Sequence, residues 1–430
     1  MIEKTFLSGR HILTMRRAFG EAPIFGTPSF VYNERLLEDY AQQALAFPNE
    51  YGLTVRFAMK ANPNATILRL FDKKGIHIDA SSGYEVERAI KAGIEPQKIQ
   101  LTGQELPKDL RGLLGKGIVF NACSLHQLET VGRLMQETRF SYPISIRINP
   151  GKGSGGNNRT NVGGPESSFG IWHEQIDEVK KIINDYKITV KKLHTHIGSG
   201  SDPAVWQEVS QSSVALLDHF PDAETLNLGG GFKVARVADE VTTDLQECGA
   251  PIKEEFKRYF EKTGRKIHLE IEPGTYLVAN AGCIVSTIID IKSTSKYTFL
   301  IVNSGMTENT RISLYGAQHP LEVIPLMGGE RGEKKYLISG HCCESGDTLT
   351  TKRGDAESLK PRLLLEAKIG DLLVIGGAGA YCAGMSTKHY NSFPEAAELM
   401  LTKMDQFEII RNRGSLDDIV RNEHYLRPHL

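Results

Sequence analysis

The sequence predicts an α/β fold: a (β/α)8 barrel followed by a β-rich C-terminal domain, a sandwich or small barrel. Three observations predict it. Eight apolar, strand-like runs recur between residues 55 and 272, with helical segments between them. After about residue 280 that alternation stops, and short strand-like runs follow one another with few helices. No GxGxxG follows the first strand, which argues against the competing architecture, a doubly wound open sheet.

The domain organisation expected is an N-terminal segment over 1–30 packing with the C-terminal domain, a barrel over 31–279, and the β-rich domain over 280–430. Phe30, Val31 and Tyr32 read as a short strand, and Leu36, Leu37 and Tyr40 mark a helix after it. The barrel strands are expected near 55–60, 76–80, 98–102, 117–121, 144–149, 190–196, 225–229 and 266–272. Ser82 with Glu85, and Ser124 with Gln127, have capping-box spacing, and Gly93 would close the first of those helices. Further helices begin near Glu174, Pro203 and Ile252. The later runs are 283–291, 297–302, 336–339, 372–375 and 406–411. A Gly/Asn-rich stretch, 151–165, follows the fifth strand and is too long for a tight turn, so it reads as a mobile or functional loop.

A formal net charge of -1 gives no reason to expect a nucleic-acid or membrane partner. Six cysteines without a CxxC pair favour neither a disulfide framework nor a zinc ribbon. No apolar run approaches the roughly 20 residues of a membrane span, and the first residues lack a signal-peptide core. A reducing compartment, the cytoplasm, is the expectation.

A barrel of this kind builds its site at the C-terminal ends of its strands. Those ends supply Lys60, Asp79, Asn121, Arg147, Asn149, His196, Ser199, Gly229, Gly230, Gly231 and Glu272. Too many of these are polar or glycine for a packed core. Lys60, in FAMKAN, is expected as an amine in a partly dry site, its pKa lowered enough to form a Schiff base. Three consecutive glycines let backbone amides approach an anion. Glu272 ends its strand directly before Pro273 and Gly274. His194 and His196 lack a completing ligand, so no metal is expected. One cofactor, pyridoxal 5'-phosphate, uses a lysine, a phosphate cradle, a carboxylate for its ring nitrogen and an imidazole face for its ring.

The motifs FAMKAN, HIDASSGYE, HTHIGSGSD, NLGGGF, EIEPG, the RxxLY of Arg311 and Tyr315, CCESGD and GAYCAGM stand in order along nearly the whole chain. With them the sequence resembles the fold-type III, alanine-racemase-like pyridoxal-phosphate decarboxylases, most closely the diaminopimelate decarboxylase branch. The resemblance implies conversion of meso-2,6-diaminopimelate to L-lysine and carbon dioxide, the last step of lysine biosynthesis. It implies that Lys60 carries the cofactor and His196 stacks on its ring. Ser199, Gly229, Gly230 and Gly231 would hold the phosphate, with Glu272 on the ring nitrogen, and Asp79, Gly274 and Tyr381 would also face the cofactor. Cys343 would be the proton donor after carbon dioxide leaves, and Glu344 would accept the substrate's distal ammonium. Arg311, Tyr315 and Tyr381 would complete the substrate site. It further implies a homodimer with shared active sites, Cys343 and Glu344 reaching the partner's barrel. One position departs from the branch: its arginine after EPG is Thr275 here, and losing such a contact costs about 1.5–3 kcal/mol. Lys152 or Arg159 is the expected substitute. Related decarboxylases acting on a conjugated or carrier-bound amino acid, on carboxynorspermidine, or on ornithine or lysine are the alternatives.

Overall fold

The computed structural model describes residues 14–21, 25–142, 144–151, 163–196 and 202–424. Among them the chain forms two compact units. One holds residues 38–235 and 241–277. The other holds 278–430, the short segment 236–240, and the described part of the first 37 residues.

The first unit is the barrel. Its parallel strands are β1 (Leu53–Ala58), β2 (His77–Ala80), β3 (Ile99–Leu101), β4 (Val119–Ala122), β5 (Ile144–Asn149), β6 (Val190–Thr195), β7 (Thr225–Asn227) and β8 (His268–Ile271). They pair in chain order, β4 with β5 and β8 back to β1, so these eight close a ring, and the two-residue strand Ile171–Trp172 pairs with the end of β5. Each expected barrel strand is present, within three residues at either end.

Helix starts follow their caps. Ser82 and Ser124 each accept the backbone N–H of the third residue on, opening Gly83–Lys91 and Leu125–Thr138. The reciprocal half of each box shifts by one residue: Glu85 accepts from Ser81, and Gln127 from Cys123. Asp202 caps Pro203–Leu216 by accepting the Ala204 N–H, Asp244 caps Leu245–Thr263 by accepting those of Gln246 and Glu247, and left-handed Gly264 ends the latter. The helices seal the barrel with aromatic contacts such as Phe57 against Phe71 at 4.8 Å, and Trp206 stacked on Phe232 at 4.5 Å.

The second unit is a nine-stranded sheet. The strand Ser29–Asn33 lies between Gly282–Ser293, to which it is antiparallel, and Ala397–Leu401, to which it is parallel. Val31, Cys283, Val285, Leu372, Val374 and Leu399 form its core. Strands at Leu321–Ile324, Arg362–Leu365 and Ala397–Leu401 join those that the sequence marks. No described helix is long and apolar enough to cross a membrane.

Candidate active site

The polar interior of the barrel is built in two layers. The lower centres on Glu270, two residues from the end of its run, where Arg56 Nε and Nη2 both donate to its carboxylate at 3.1 Å. Lys192 Nζ donates to the same group at 2.6 Å. Burial raises the Glu270 carboxyl, but the two cations outweigh it and hold it at about 2. Gln100 and Asn227 carry the network upward: Lys192 donates to Gln100 Oε1, and Asn227 Nδ2 reaches both Glu270 and Glu272.

Glu272 centres the upper layer, 6 % exposed. Oε1 accepts from Gln100 Nε2 and Asn227 Nδ2, both at 2.7 Å, and Oε2 faces His194 Nε2 at 3.1 Å. Burial pushes this carboxyl up; His194, its hydrogen bond and His196 prevail, leaving it below the usual carboxylate range. Since the carboxylate is ionised, His194 Nε2 carries the proton, and buried Nδ1 is a bare acceptor without a partner among the described residues. An ionised carboxylate offers about four acceptor positions, and three are filled here. One remains.

Around this pair stand the strand ends. Asp79, at the end of β2, is 3 % exposed with Oδ1 unpartnered. Burial and the Glu272 carboxylate push it well above the ordinary range, so of the two neighbouring carboxyls Glu272 is the one ionised. His196 follows β6 directly, and burial with Arg147 beside it holds the ring well below its usual pKa. The ring is therefore neutral, and its Nδ1 accepts the Gly230 N–H at 3.2 Å. Side chains are excluded from the glycine turn: a Cβ on Gly229 would lie 2.3 Å from the His196 ring, and one on Gly230 would lie 2.1 Å from the Glu272 carbonyl oxygen. The Gly229 N–H donates to Asn227 at 2.8 Å, so two of the three amides already have partners; the Gly231 amide has none among the described residues. Gly274 is buried beside Glu272.

β1 stops at Ala58, and Lys60 stands on the one-turn 3-10 segment Met59–Ala61 rather than on the strand itself. Met59 and Ala61 are buried while Lys60 is exposed, so the expectation of a partly dry amine is not met: burial stops at its neighbours. Asp79, Glu85 and His196 all lie within its electrostatic reach. The Ala58 N–H donates to the Pro273 carbonyl at 3.3 Å, which ties the Lys60 turn to the segment bearing Glu272. Ser199, Lys152 and Arg159 lie outside the described residues. Among the described residues no group of His, Cys, Asp and Glu is arranged to hold a metal ion.

The remaining expected site residues belong to the strand unit. Arg311 opens the one-turn helix Arg311–Tyr315, with Tyr315 half-buried. Cys342 and Cys343 differ sharply. Cys342 is buried, and its thiol is pushed up to about 12 by burial and by Asp347. Cys343 is exposed, its backbone N–H donating to Asn391 Oδ1 at 2.8 Å. Buried Asp347 pins this turn by accepting the Met306 and Cys342 amides at 2.7 and 2.9 Å. Glu344 is exposed, with Oε1 accepting the Gly346 amide and Oε2 3.4 Å from Tyr390 Oη. Tyr381 sits at φ 56°, a left-handed conformation that a bulky side chain adopts only under constraint.

Residues 35–279 match the family described as pyridoxal-dependent decarboxylase, pyridoxal binding domain. The chain belongs to that family. It is 31% identical to the diaminopimelate decarboxylase of Streptomyces coelicolor, over 93% of this chain and 89% of that one. To the diaminopimelate decarboxylase of Escherichia coli K12 it is 30% identical, over 93% and 94%. A crystal structure of a diaminopimelate decarboxylase superposes with TM-score 0.88 at 29% identity, covering 98% of this chain and 99% of that one. A Helicobacter pylori diaminopimelate decarboxylase complexed with L-lysine gives 0.81 at 28% identity, over 93% and 97%.

Pyridoxal phosphate is this decarboxylase's cofactor, and the barrel fits it. Glu272 is an ionised acceptor with one position left for a ring N–H, the glycine turn admits no side chains, and the His196 ring is neutral and fixed. Sequence reasoning singled out these strand-end residues but passed over Gln100, Asn227, Arg56, Lys192 and Glu270, and set His194 aside as half of an incomplete metal pair. The signal was a spacing of two: Lys192, His194 and His196, like Glu270 and Glu272, lie on one side of their strands.

Proposed function

We propose that this pyridoxal-phosphate-dependent carboxy-lyase converts meso-2,6-diaminopimelate to L-lysine and carbon dioxide. The reading rests on identity of about 30% to diaminopimelate decarboxylases spread over 93% of the chain. In this reading residues 31–279 bind the cofactor, and the β-rich domain over 280–430 contributes to the active site of a second copy, making a homodimer. The described part of residues 1–30 packs with that domain. Six cysteines, all unpaired, suit the cytoplasm.

The bound ring supplies an electron sink for the pair that departing carbon dioxide leaves behind. The chain's own groups do the rest. Lys60 Nζ attaches the cofactor, Glu272 accepts from the ring nitrogen and His196 covers one ring face. Ser199 with the backbone of Gly229, Gly230 and Gly231 holds the phosphate, and Asp79, Gly274 and Tyr381 line the cofactor. Arg311 and Tyr315 bind the carboxylate of the distal amino-acid centre, Glu344 binds its ammonium, and Tyr381 completes the subsite. Cys343 Sγ gives up the proton that replaces carbon dioxide.

The assay incubates purified holoenzyme with meso-diaminopimelate, lysine, ornithine and carboxynorspermidine and measures carbon dioxide release. Release from diaminopimelate is expected to exceed the others, and none from it would overturn the substrate. Cys343→Ala is expected to lower kcat about 10²- to 10⁴-fold, the range of a lost proton donor. Cys342→Ala, at a buried position, should shift the melting temperature and leave kcat within a few-fold. The reverse pattern would assign the proton to Cys342.

A further inference from the structure

Within the strand unit two guanidiniums, those of Arg236 and Arg311, lie within electrostatic reach of one another. Arg236, from the segment 236–240, is 9 % exposed. Its Nε donates to the Gly377 carbonyl at 2.9 Å, while Nη2 is buried and has no partner among the described residues. The preceding carbonyl, that of Gly376, accepts from His319 Nδ1 at 2.8 Å, so two adjacent carbonyls set Arg236 and His319 side by side. Arg311 is close enough to act on both electrostatically, and its buried Nε is unpartnered as well.

The Glu240 carboxylate acts on Arg236 as an opposing charge, but its Oε2 accepts the Arg236 backbone N–H at 2.8 Å, and its Oε1 lies 3.7 Å from Arg353. The field is strongly positive. Burial and Arg311 pull Arg236 down to about 9, and burial with both arginines holds His319 well below its usual range. Burying the Arg236 charge near a second guanidinium, with donors left over, is unfavourable unless an anion completes the site. The leftover N–H groups, Arg236 Nη2 and Arg311 Nε, suit a carboxylate, and Tyr381, also within electrostatic reach of Arg236, adds a hydroxyl.

We infer that Arg236 joins Arg311 in binding the distal carboxylate of the amino-acid substrate, supplying the second guanidinium that Thr275 cannot. This rests on the diaminopimelate reading, in which the surviving carboxylate is the one L-lysine carries. Arg236 is then a specificity residue that binds substrate and product alike.

The test compares wild-type holoenzyme with Arg236→Ala and Arg236→Lys. Carbon dioxide release from meso-diaminopimelate gives kcat and KM. Calorimetry gives affinities for L-lysine and for cadaverine, the same chain without its carboxylate. Arg236→Ala is expected to raise KM and the L-lysine Kd about 10- to 100-fold, the range for one charged hydrogen-bonded contact. It should leave kcat within a few-fold, and cadaverine affinity and bound cofactor unchanged. Arg236→Lys, which keeps the charge and loses the fork, should fall between, and it decides the matter if the alanine variant does not fold. Unchanged KM and L-lysine affinity would overturn the proposal. Loss of cofactor without a change in lysine-over-cadaverine preference would also overturn it, assigning Arg236 to the phosphate. If wild type releases no carbon dioxide from diaminopimelate, the substrate reading fails by itself. The carboxylate site is then decided by calorimetry: it stands if wild type prefers L-lysine and Arg236→Ala does not, and falls otherwise.

Discussion

Lys60→Ala is expected to lower kcat/KM for decarboxylation by about 10⁴-fold or more, the scale seen when a covalent catalytic group is removed. The fold should barely register the change. Lys60 is exposed on a one-turn segment whose anchors are buried Met59 and Ala61, so the melting temperature should move by about 2 °C or less. The variant should also lose the absorbance band at about 420 nm typical of lysine-bound pyridoxal phosphate. Because Lys60 is exposed, added methylamine can reach the position its side chain leaves and should restore part of the rate. Wild-type kcat/KM in Lys60→Ala would remove the lysine from the mechanism. A variant that is inactive, unfolded and not rescued would instead make Lys60 a structural residue.

The eight barrel strands were legible because parallel strands covered on both faces read as short apolar runs bounded by turns. The strand unit was harder. Ala397–Leu401 reads AELML, rich in strong helix formers, yet it is fully buried between two strands, where tertiary pairing overrides propensity. Leu321–Ile324 is only four residues long and gives little pattern to count. At the site, Asp79, His196 and Glu272 could be found as strand ends. The layer of Arg56, Lys192 and Glu270 could not, because alternation normally puts polar residues toward solvent. In this barrel the outer face is covered by helices, and the interior carries the charge. Arg236 was invisible for a different reason: it follows the glycine turn in irregular chain, and only tertiary structure brings it to Arg311.

Glu272→Gln tests the upper layer through activity and acid stability together. The substitution keeps shape and removes one negative charge. Its amide oxygen can still accept from Gln100 and Asn227, while its NH₂ meets His194 Nε2, which becomes an acceptor if the imidazole proton moves to Nδ1. Since Nδ1 has no competing partner among the described residues, that tautomer is open and the barrel should fold. The ring nitrogen, however, loses its anionic acceptor. The expected loss in kcat is about 10²- to 10³-fold, the size measured when one preorganised electrostatic contact is removed from an active site. Stability follows the sign of the shift. Glu272 is held below its ordinary value of 4.5 in the folded protein, so its contribution is present above that pH and is lost as pH falls beneath it. Glu270, held at about 2, acts in the same direction and remains in the variant. Between pH 7 and pH 3 the wild-type melting temperature should therefore fall more steeply than that of Glu272→Gln, by calorimetry. Equal slopes would show that Glu272 is not the ionised member of the pair with Asp79, and an unchanged kcat would free the ring nitrogen from it.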